Sequence, residues 1–164
     1  MSIVYLGLGS NLGDSLHILQ SALDLLNRDK KISLLKVSAF YGSKPLDNKK
    51  QPDYVNTVAQ ISTDYLPYDL LNQLQAVEKQ FGRVRNGQHW ASRTLDIDIL
   101  LYDDLQLCEE KLIIPHVGML ERDFVLYPLS EIAPNVEIPG FGLLNEALKT
   151  CDNRGLEKLN DNNP

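Results

Sequence analysis

Apolar residues recur along this chain with two different periods, and the switches between them predict its elements. Ile3 to Leu8 is a short apolar run with glycines at its end, the pattern of a buried strand. Gly9-Ser10-Asn11-Leu12-Gly13-Asp14 reads as a tight turn opening a helix. Leu16, Leu19, Leu23 and Leu26 follow at helical spacing, with Asp14 or Ser15 as N-cap. Ile32 to Tyr41 alternates and predicts a second strand. Gly42 to Pro52 is polar and reads as a loop, long for a hairpin connection. Tyr54 to Ser62 alternates again, with Val55, Thr57, Ala59 and Ile61 on one face and Tyr54, Asn56 and Val58 on the other.

Pro67 suits the first turn of the next helix, Leu70, Leu74, Val77 and Phe81 form its buried stripe, and Gly82 stops it. A loop then leads into a strand that ends at Tyr102, and Asp103-Asp104 turns the chain. The order so far is β-α-β-β-α-β. The expected fold is α+β, a ferredoxin-like two-layer sandwich with C-terminal additions. The additions comprise a short strand near Leu105 to Leu107, the segment Leu112 to His116, a helix from Phe124 to Ile132, a hairpin-like Val136 to Gly142 and a helix from Leu143 to Lys149. No linker interrupts the pattern, so residues 1–160 are expected to form one domain and 161–164 a polar tail.

Bulk properties narrow the function. The 164 residues suffice for one domain with a real core. Hydrophobic content of 43% and charged content of 23% are ordinary for a soluble globular protein. A net charge of −6 argues against general nucleic-acid binding. No apolar run approaches a membrane span, and the N-terminus lacks the basic region of a signal peptide. Cys108 and Cys151 are too few for a disulfide scaffold and are expected to be free thiols in a reducing cytoplasm. A monomer without nucleic-acid or membrane partners is the expectation.

The chemistry concentrates in Arg93-Thr94-Leu95-Asp96-Ile97-Asp98-Ile99-Leu100-Leu101-Tyr102. Alternation puts Asp96 and Asp98 on one face, their Cα atoms roughly 6–7 Å apart, and Leu95, Ile97 and Ile99 on the other. Two unpaired acids on a core-facing surface are costly, so either this face is open to water or cations sit on it. Two oxygen ligands at i and i+2 suit Mg²⁺, which accepts few protein carboxylates and completes its shell with water and phosphate. Between Lys79 and Leu95 there is no acidic residue, while Arg83, Arg85 and Arg93 lie there with His89 and Trp90. A cationic loop entering a carboxylate pair suits a metal-bound polyphosphate. There is no G-x-x-x-x-G-K-[ST] motif, so any nucleotide site is built differently.

The segment His89-Trp90-Ala91-Ser92-Arg93-Thr94-Leu95-Asp96-Ile97-Asp98-Ile99-Leu100 resembles the signature of the 6-hydroxymethyl-7,8-dihydropterin pyrophosphokinases of folate biosynthesis. The resemblance covers nearly the whole chain. It includes Gly9-Ser10-Asn11-Leu12, Gln51 to Asn56, Glu78 with Gly82-Arg83-Val84-Arg85, Pro115-His116, and Arg122-Asp123-Phe124 followed by Tyr127-Pro128-Leu129. It implies Mg²⁺-dependent transfer of pyrophosphate from ATP, as co-substrate, to the hydroxymethyl group of the dihydropterin, leaving AMP.

The same resemblance implies residue roles. Asp96 and Asp98 would hold two Mg²⁺ ions, and Arg83 and Arg93 would meet transition-state charge. Leu71, Gln75, Glu78, His89, Trp90, Arg93, Ile99, Lys111, Ile113, His116 and Arg122 would lie at ATP. Ser43, Lys44, Leu46, Tyr54, Asn56, Trp90, Asp96 and Phe124 would form the pterin pocket, with Tyr54 and Phe124 sandwiching the ring. Lys44 and Ser92 stand where the commoner family pattern has proline, and Asn86 and His89 where stronger cations are frequent. Two other readings stay open: a γ-phosphotransferase on the same scaffold, and a non-catalytic ferredoxin-like ligand-binding module.

Overall fold

The computed structural model describes residues 1–43, 53–82 and 94–159. The chain begins with strand β1 (Ser2–Ser10) and helix α1 (Ser15–Arg28), followed by strands β2 (Ile32–Val37), β3 (Tyr41–Ser43) and β4 (Tyr54–Thr63). Helix α2 (Pro67–Gln80) and strand β5 (Asp96–Tyr102) complete the βαββαβ unit. Its antiparallel sheet has β1 between β4 and β5, with β2 and β3 both paired to the far side of β4. This is the expected ferredoxin-like arrangement.

Local chemistry explains the boundaries. The Asp14 carboxylate caps α1 by accepting the His17 N–H at 3.3 Å. Leu19, Ala22, Leu23 and Leu26 form the buried stripe of α1, while Leu16 is half-buried at its edge. Pro67 opens α2. Gly82 closes it at φ +87°, with its N–H on the Lys79 carbonyl at 3.0 Å. After β5, Asp103 takes φ +47° and its carboxylate accepts the Ile3 N–H at 2.8 Å, which secures the turn to β1.

Three expectations shift. Strand β1 runs on through Gly9 and Ser10, because both edges of this segment are hydrogen-bonded, to β4 and to β5. The strand expected from Ile32 to Tyr41 is split at Ser38–Phe40. There the Ser38 hydroxyl accepts the Val58 N–H at 3.0 Å, and the Ala39 N–H turns away to the Glu131 carboxylate at 2.6 Å. A last short strand, Glu157–Lys158, carries no alternation signal and was not expected.

Beyond β5, strands β6 (Leu107–Cys108) and β7 (Ile113–Ile114) form a small ribbon. A 3-10 turn at Met119–Glu121 leads to helix α3 (Asp123–Ile132). Strands β8 (Glu137–Ile138) and β9 (Gly142–Leu143) pair, helix α4 (Leu144–Thr150) follows, and β10 (Glu157–Lys158) extends the main sheet beside β3. Cys108 is exposed, Cys151 is half-buried, and both are free thiols.

The two faces of the sheet carry separate cores. Val4, Leu6, Leu8, Ala59, Ile61, Ile97 and Ile99 pack with the apolar stripes of α1 and α2. On the other face Tyr5, Val58, Leu100 and Leu101 pack with Met119, Val125, Leu126 and Leu129 of the C-terminal additions and with Leu144 and Ala147 of α4. The additions therefore cover one end of the second face. At the other end, Asp96 and Asp98 are only half-buried.

Glu131 ties α3 to the sheet. One carboxylate oxygen accepts the Ala39 N–H; the other accepts the Tyr41 hydroxyl at 2.6 Å and lies 3.4 Å from the Lys158 ammonium. Burial opposes ionisation of Glu131, but these donors and the Lys158 charge outweigh it and hold the carboxyl below the ordinary 4.5. Burial and the neighbouring carboxylate raise the Tyr41 phenol. Replacing Glu131 by Ala is expected to cost about 2–3 kcal/mol at pH 7, because two donors lose a charged acceptor. A depressed carboxyl stabilises above its unfolded value and loses that contribution as pH falls through the folded one. Urea unfolding should therefore show the gap between wild type and Glu131→Ala narrowing as pH drops below 4.5.

Candidate active site

The site follows from strand register. Gly9 of β1 pairs with Asn56 of β4 on one side and Asp96 of β5 on the other. Gly7 pairs with Val58 and Asp98 in the same way. Directly paired residues project to the same face, so Asn56, Asp96 and Asp98 share one face with only two glycines between β4 and β5. Tyr41 and Ser43 of β3 oppose Asn56 and Tyr54, and so join the same face. The carboxylate pair, the carboxamide and an aromatic ring thus stand around a floor without side chains. The reverse faces of Leu95, Ile97 and Ile99 are buried, as the alternation requires.

Asn56 is 6% exposed and its Nδ2 donates to the Ser43 hydroxyl at 2.6 Å. That bond turns Oδ1 over Gly9, where an added Cβ would lie 2.8 Å from it. Glycine is therefore required at position 9 by the close approach of the carboxamide, rather than by a turn. On the C-terminal side, the His116 N–H donates to the Leu100 carbonyl at 3.0 Å and brings the imidazole beside β5. His116 Nε2 lies 3.6 Å from Asp98 Oδ2. Burial first, and then the Arg122 guanidinium, push His116 down to about 4 against the pull of Asp96. At pH 7 the ring is neutral. Its Nδ1 accepts the Gly118 N–H at 3.2 Å, so the proton sits on Nε2 and faces Asp98. The Arg122 guanidinium lies over the Phe124 ring at 5.7 Å from its centroid. Gly118 lets it approach, since a Cβ there would meet Nε at 2.9 Å.

The expected residues therefore fall into groups. Ser43, Tyr54, Asn56, Asp96 and Asp98 share the sheet face; His116 and Arg122 reach it from the segment before α3, and Phe124 opens that helix. Leu71, Gln75 and Glu78 follow at i, i+4 and i+7 along α2, which packs on β5. Lys111 and Ile113 are exposed on the β6–β7 ribbon, which also packs against β5. Ile99 is different: its side chain is buried in the core under α1 and α2. Glu78 is 1% exposed, and its Oε2 accepts the Ile97 N–H at 2.9 Å. Lys44 and Leu46, and Arg83, His89, Trp90 and Arg93, lie outside the described residues. What sequence reasoning missed is the Gly7/Gly9 floor. Its signal was present as two glycines at period two inside an apolar run.

Two carboxylates at i and i+2 suit a hard divalent cation. Among the described residues no group of three or more His, Cys, Asp or Glu side chains could hold a metal ion. The carboxylate pair suits a cation such as Mg²⁺ that completes its shell with water and phosphate oxygens.

The model of the 7,8-dihydro-6-hydroxymethylpterin-pyrophosphokinase family matches residues 5–134. The chain belongs to this pyrophosphokinase family. It is 42% identical over 160 residues to the 2-amino-4-hydroxy-6-hydroxymethyldihydropteridine pyrophosphokinase of Haemophilus influenzae, covering 98% of this chain and 99% of that one. Its identity to the Pseudomonas aeruginosa pyrophosphokinase of the same name is 44% over 156 residues, covering 95% and 96%. The crystal structure of Plasmodium falciparum HPPK-DHPS with pteroate superposes with a TM-score of 0.72 at 12% identity over 90% of this chain. This chain spans 42% of that longer protein, and the likeness concerns fold alone.

Within this pyrophosphokinase fold, Gly9→Ala is expected to displace the Asn56 carboxamide and break its bond to Ser43 while the chain stays folded. Overpacking of this kind costs about 1–3 kcal/mol. Thermal unfolding together with the Asn56 side-chain amide resonances checks this; an unshifted Asn56 signal would contradict it.

Proposed function

We propose that this chain transfers the β,γ-diphosphoryl unit of ATP to the hydroxymethyl oxygen of 6-hydroxymethyl-7,8-dihydropterin, releasing AMP. The observation that carries the reading is the row Asn56–Gly9–Asp96 across three strands. It sets a hydrogen-bonding group suited to a heterocycle beside carboxylates suited to metal-bound phosphate. Membership in the family supports the same chemistry.

On this reading Tyr54 and Phe124 stack on the flat pterin. Asn56, held by Ser43, offers its carboxamide to the ring edge. Lys44, Leu46 and Trp90 complete the pterin pocket. Asp96 and Asp98 would hold two Mg²⁺ ions. When bound, these ions would supply positive charge against the phosphate oxygens. Arg122 offers fixed guanidinium donors to phosphate oxygens, as do Arg83 and Arg93. His116, neutral and protonated at Nε2, contributes a hydrogen-bond donor and no charge. Leu71, Gln75, His89, Lys111 and Ile113 form the nucleotide side, with Glu78 and Ile99 buried behind it. The hydroxyl oxygen forms a bond to the β-phosphorus, the α,β-bridging oxygen leaves with AMP, and the hydroxyl proton is released. Such transfer depends mainly on positioning and charge stabilisation.

We place the enzyme in the cytoplasm as a monomer acting as one domain over residues 1–160, without nucleic-acid or membrane partners. In support, no helix among the described residues is long and apolar enough to cross a membrane.

Product analysis with ATP, Mg²⁺ and the hydroxymethyldihydropterin tests the reading. AMP with the pterin diphosphate supports it; ADP with a monophosphate makes the chain a γ-phosphotransferase. Asp96→Ala or Asp98→Ala should lose several kcal/mol of transition-state stabilisation with the fold intact, and wild-type turnover in either would remove the metal assignment. Phe124→Ala should weaken pterin binding by about 0.5–1.5 kcal/mol of stacking plus its lost burial. Titration should find ATP binding little changed.

A further inference from the structure

We infer that Glu78 is a positioning residue for Asp96 and Asp98, acting through the strand backbone rather than through the nucleotide. This rests on the proposed role of the two carboxylates as metal ligands. Ile97 lies between them, and its nitrogen is the peptide partner of the Asp96 carbonyl carbon. The Ile97 N–H is the group that Glu78 Oε2 accepts, at 2.9 Å. Among the described residues strand β5 closes the main sheet on that side, so its outward-facing amides meet no further strand there. In an antiparallel pair successive N–H groups point alternately toward the partner and away from it. With the Ile97 amide directed at α2, those of Asp96 and Asp98 are directed at β1. The stretch carrying both carboxylates is thus held from two sides: by Gly9 and Gly7 of β1 and by Glu78 of α2.

Packing alone does not call for glutamate here. The other buried positions of α2 are Leu70, Leu74 and Val77, and Glu78 is as fully buried as they are. Burying a carboxylate is costly unless strong donors compensate, so an aliphatic side chain would serve a purely structural role better. A carboxylate in this place gains a charge-assisted bond to one chosen amide. That bond fixes the Asp96–Ile97 peptide plane, and with it the directions in which both Asp side chains leave the strand. Groups that orient metal ligands commonly matter 10–100-fold to metal affinity or activity.

The test compares Glu78→Leu, which keeps volume and burial but removes the acceptor, with Glu78→Gln, which keeps an acceptor oxygen and removes the charge. Three measurements are made on the full chain. They are hydrogen exchange of the Ile97 amide, calorimetric affinity for α,β-methylene-ATP with and without Mg²⁺, and turnover. Expected is an Ile97 amide that is protected in wild type and in Glu78→Gln and unprotected in Glu78→Leu. Glu78→Leu should lose about 10-fold or more of the Mg²⁺-dependent part of nucleotide affinity and a similar factor in turnover. Affinity for the analogue without Mg²⁺ should not move, and Glu78→Gln should recover most of the loss.

Three results overturn the inference: an unprotected Ile97 amide in wild type, undiminished Mg²⁺-dependent affinity in Glu78→Leu, or an equal loss of metal-free affinity, which would make Glu78 a direct nucleotide contact. Should Glu78→Leu not fold, wild type and Glu78→Gln decide through Ile97 protection and Mg²⁺-dependent affinity. Asp96→Ala, run in parallel, separates the two claims. If it keeps Mg²⁺-dependent affinity, the metal assignment has failed; if it loses that affinity while Glu78→Leu does not, only the positioning role has.

Discussion

The site depends on one constraint of register: β1 lies between β4 and β5 with glycine at position 9. Pairing of Gly9 with both Asn56 and Asp96 puts a carboxamide and a carboxylate on one face, two strand spacings apart. Neighbouring strands lie about 4.7–4.9 Å apart, so the two groups stand roughly 9–10 Å from each other at the backbone. A side chain at position 9 would fill that space, and its first carbon would already strike the Asn56 oxygen. A slip of one residue would send Asn56 or Asp96 to the opposite face, among the leucines of α1 and α2. The buried alternation of Leu6, Leu8, Ile97 and Ile99 opposes such a slip, so the hydrophobic core sets the register on which the polar face relies.

The C-terminal additions extend the same logic on the second face. Helix α3 buries Val125, Leu126 and Leu129 against the sheet. Phe124 precedes that stripe, and Glu131 follows it as the clamp on Ala39 and Tyr41. One helix thus closes a core, presents an aromatic ring beside Arg122, and anchors the strand whose last residue, Ser43, orients Asn56. The split of the second predicted strand is part of this arrangement. If Ala39 kept a ladder bond to β4, its amide would not be free for Glu131.

Much of this was legible in the sequence because it is written in local periods. The βαββαβ order, the stop at Gly82, the turn at Asp103 and the shared face of Asp96 and Asp98 all follow from spacing two or four residues apart. What was not legible depends on long-range pairing. Nothing near Glu78 in the chain shows that its carboxylate meets Ile97, nineteen positions away. The Ser38 break depends on Val58 and Glu131. Strand β10 is two residues long, both exposed, and exists only because the edge of β3 is available to it. The glycines at 7 and 9 were visible, the first inside the strand and the second as the start of a turn. Their meaning emerges only when the residues opposite them on two other strands are known.

The electrostatics of the face follow from the same geometry and bear on how a polyphosphate can approach. Asp96 and Asp98 are acidic, and burial keeps His116 neutral at pH 7, so this histidine does not offset them. Arg122 does, but its guanidinium is held over the Phe124 ring at the edge of the face. Carboxylates repel phosphate. On the proposed reading divalent cations accompanying the nucleotide would offset that repulsion. Neutral His116 suits this arrangement. An imidazolium against Asp98 would compete with the cation for the same oxygen, whereas an Nε2–H at 3.6 Å leaves the carboxylate able to take a metal. The burial that costs His116 its charge thus leaves the fixed positive charge to arginine, whose guanidinium burial does not discharge.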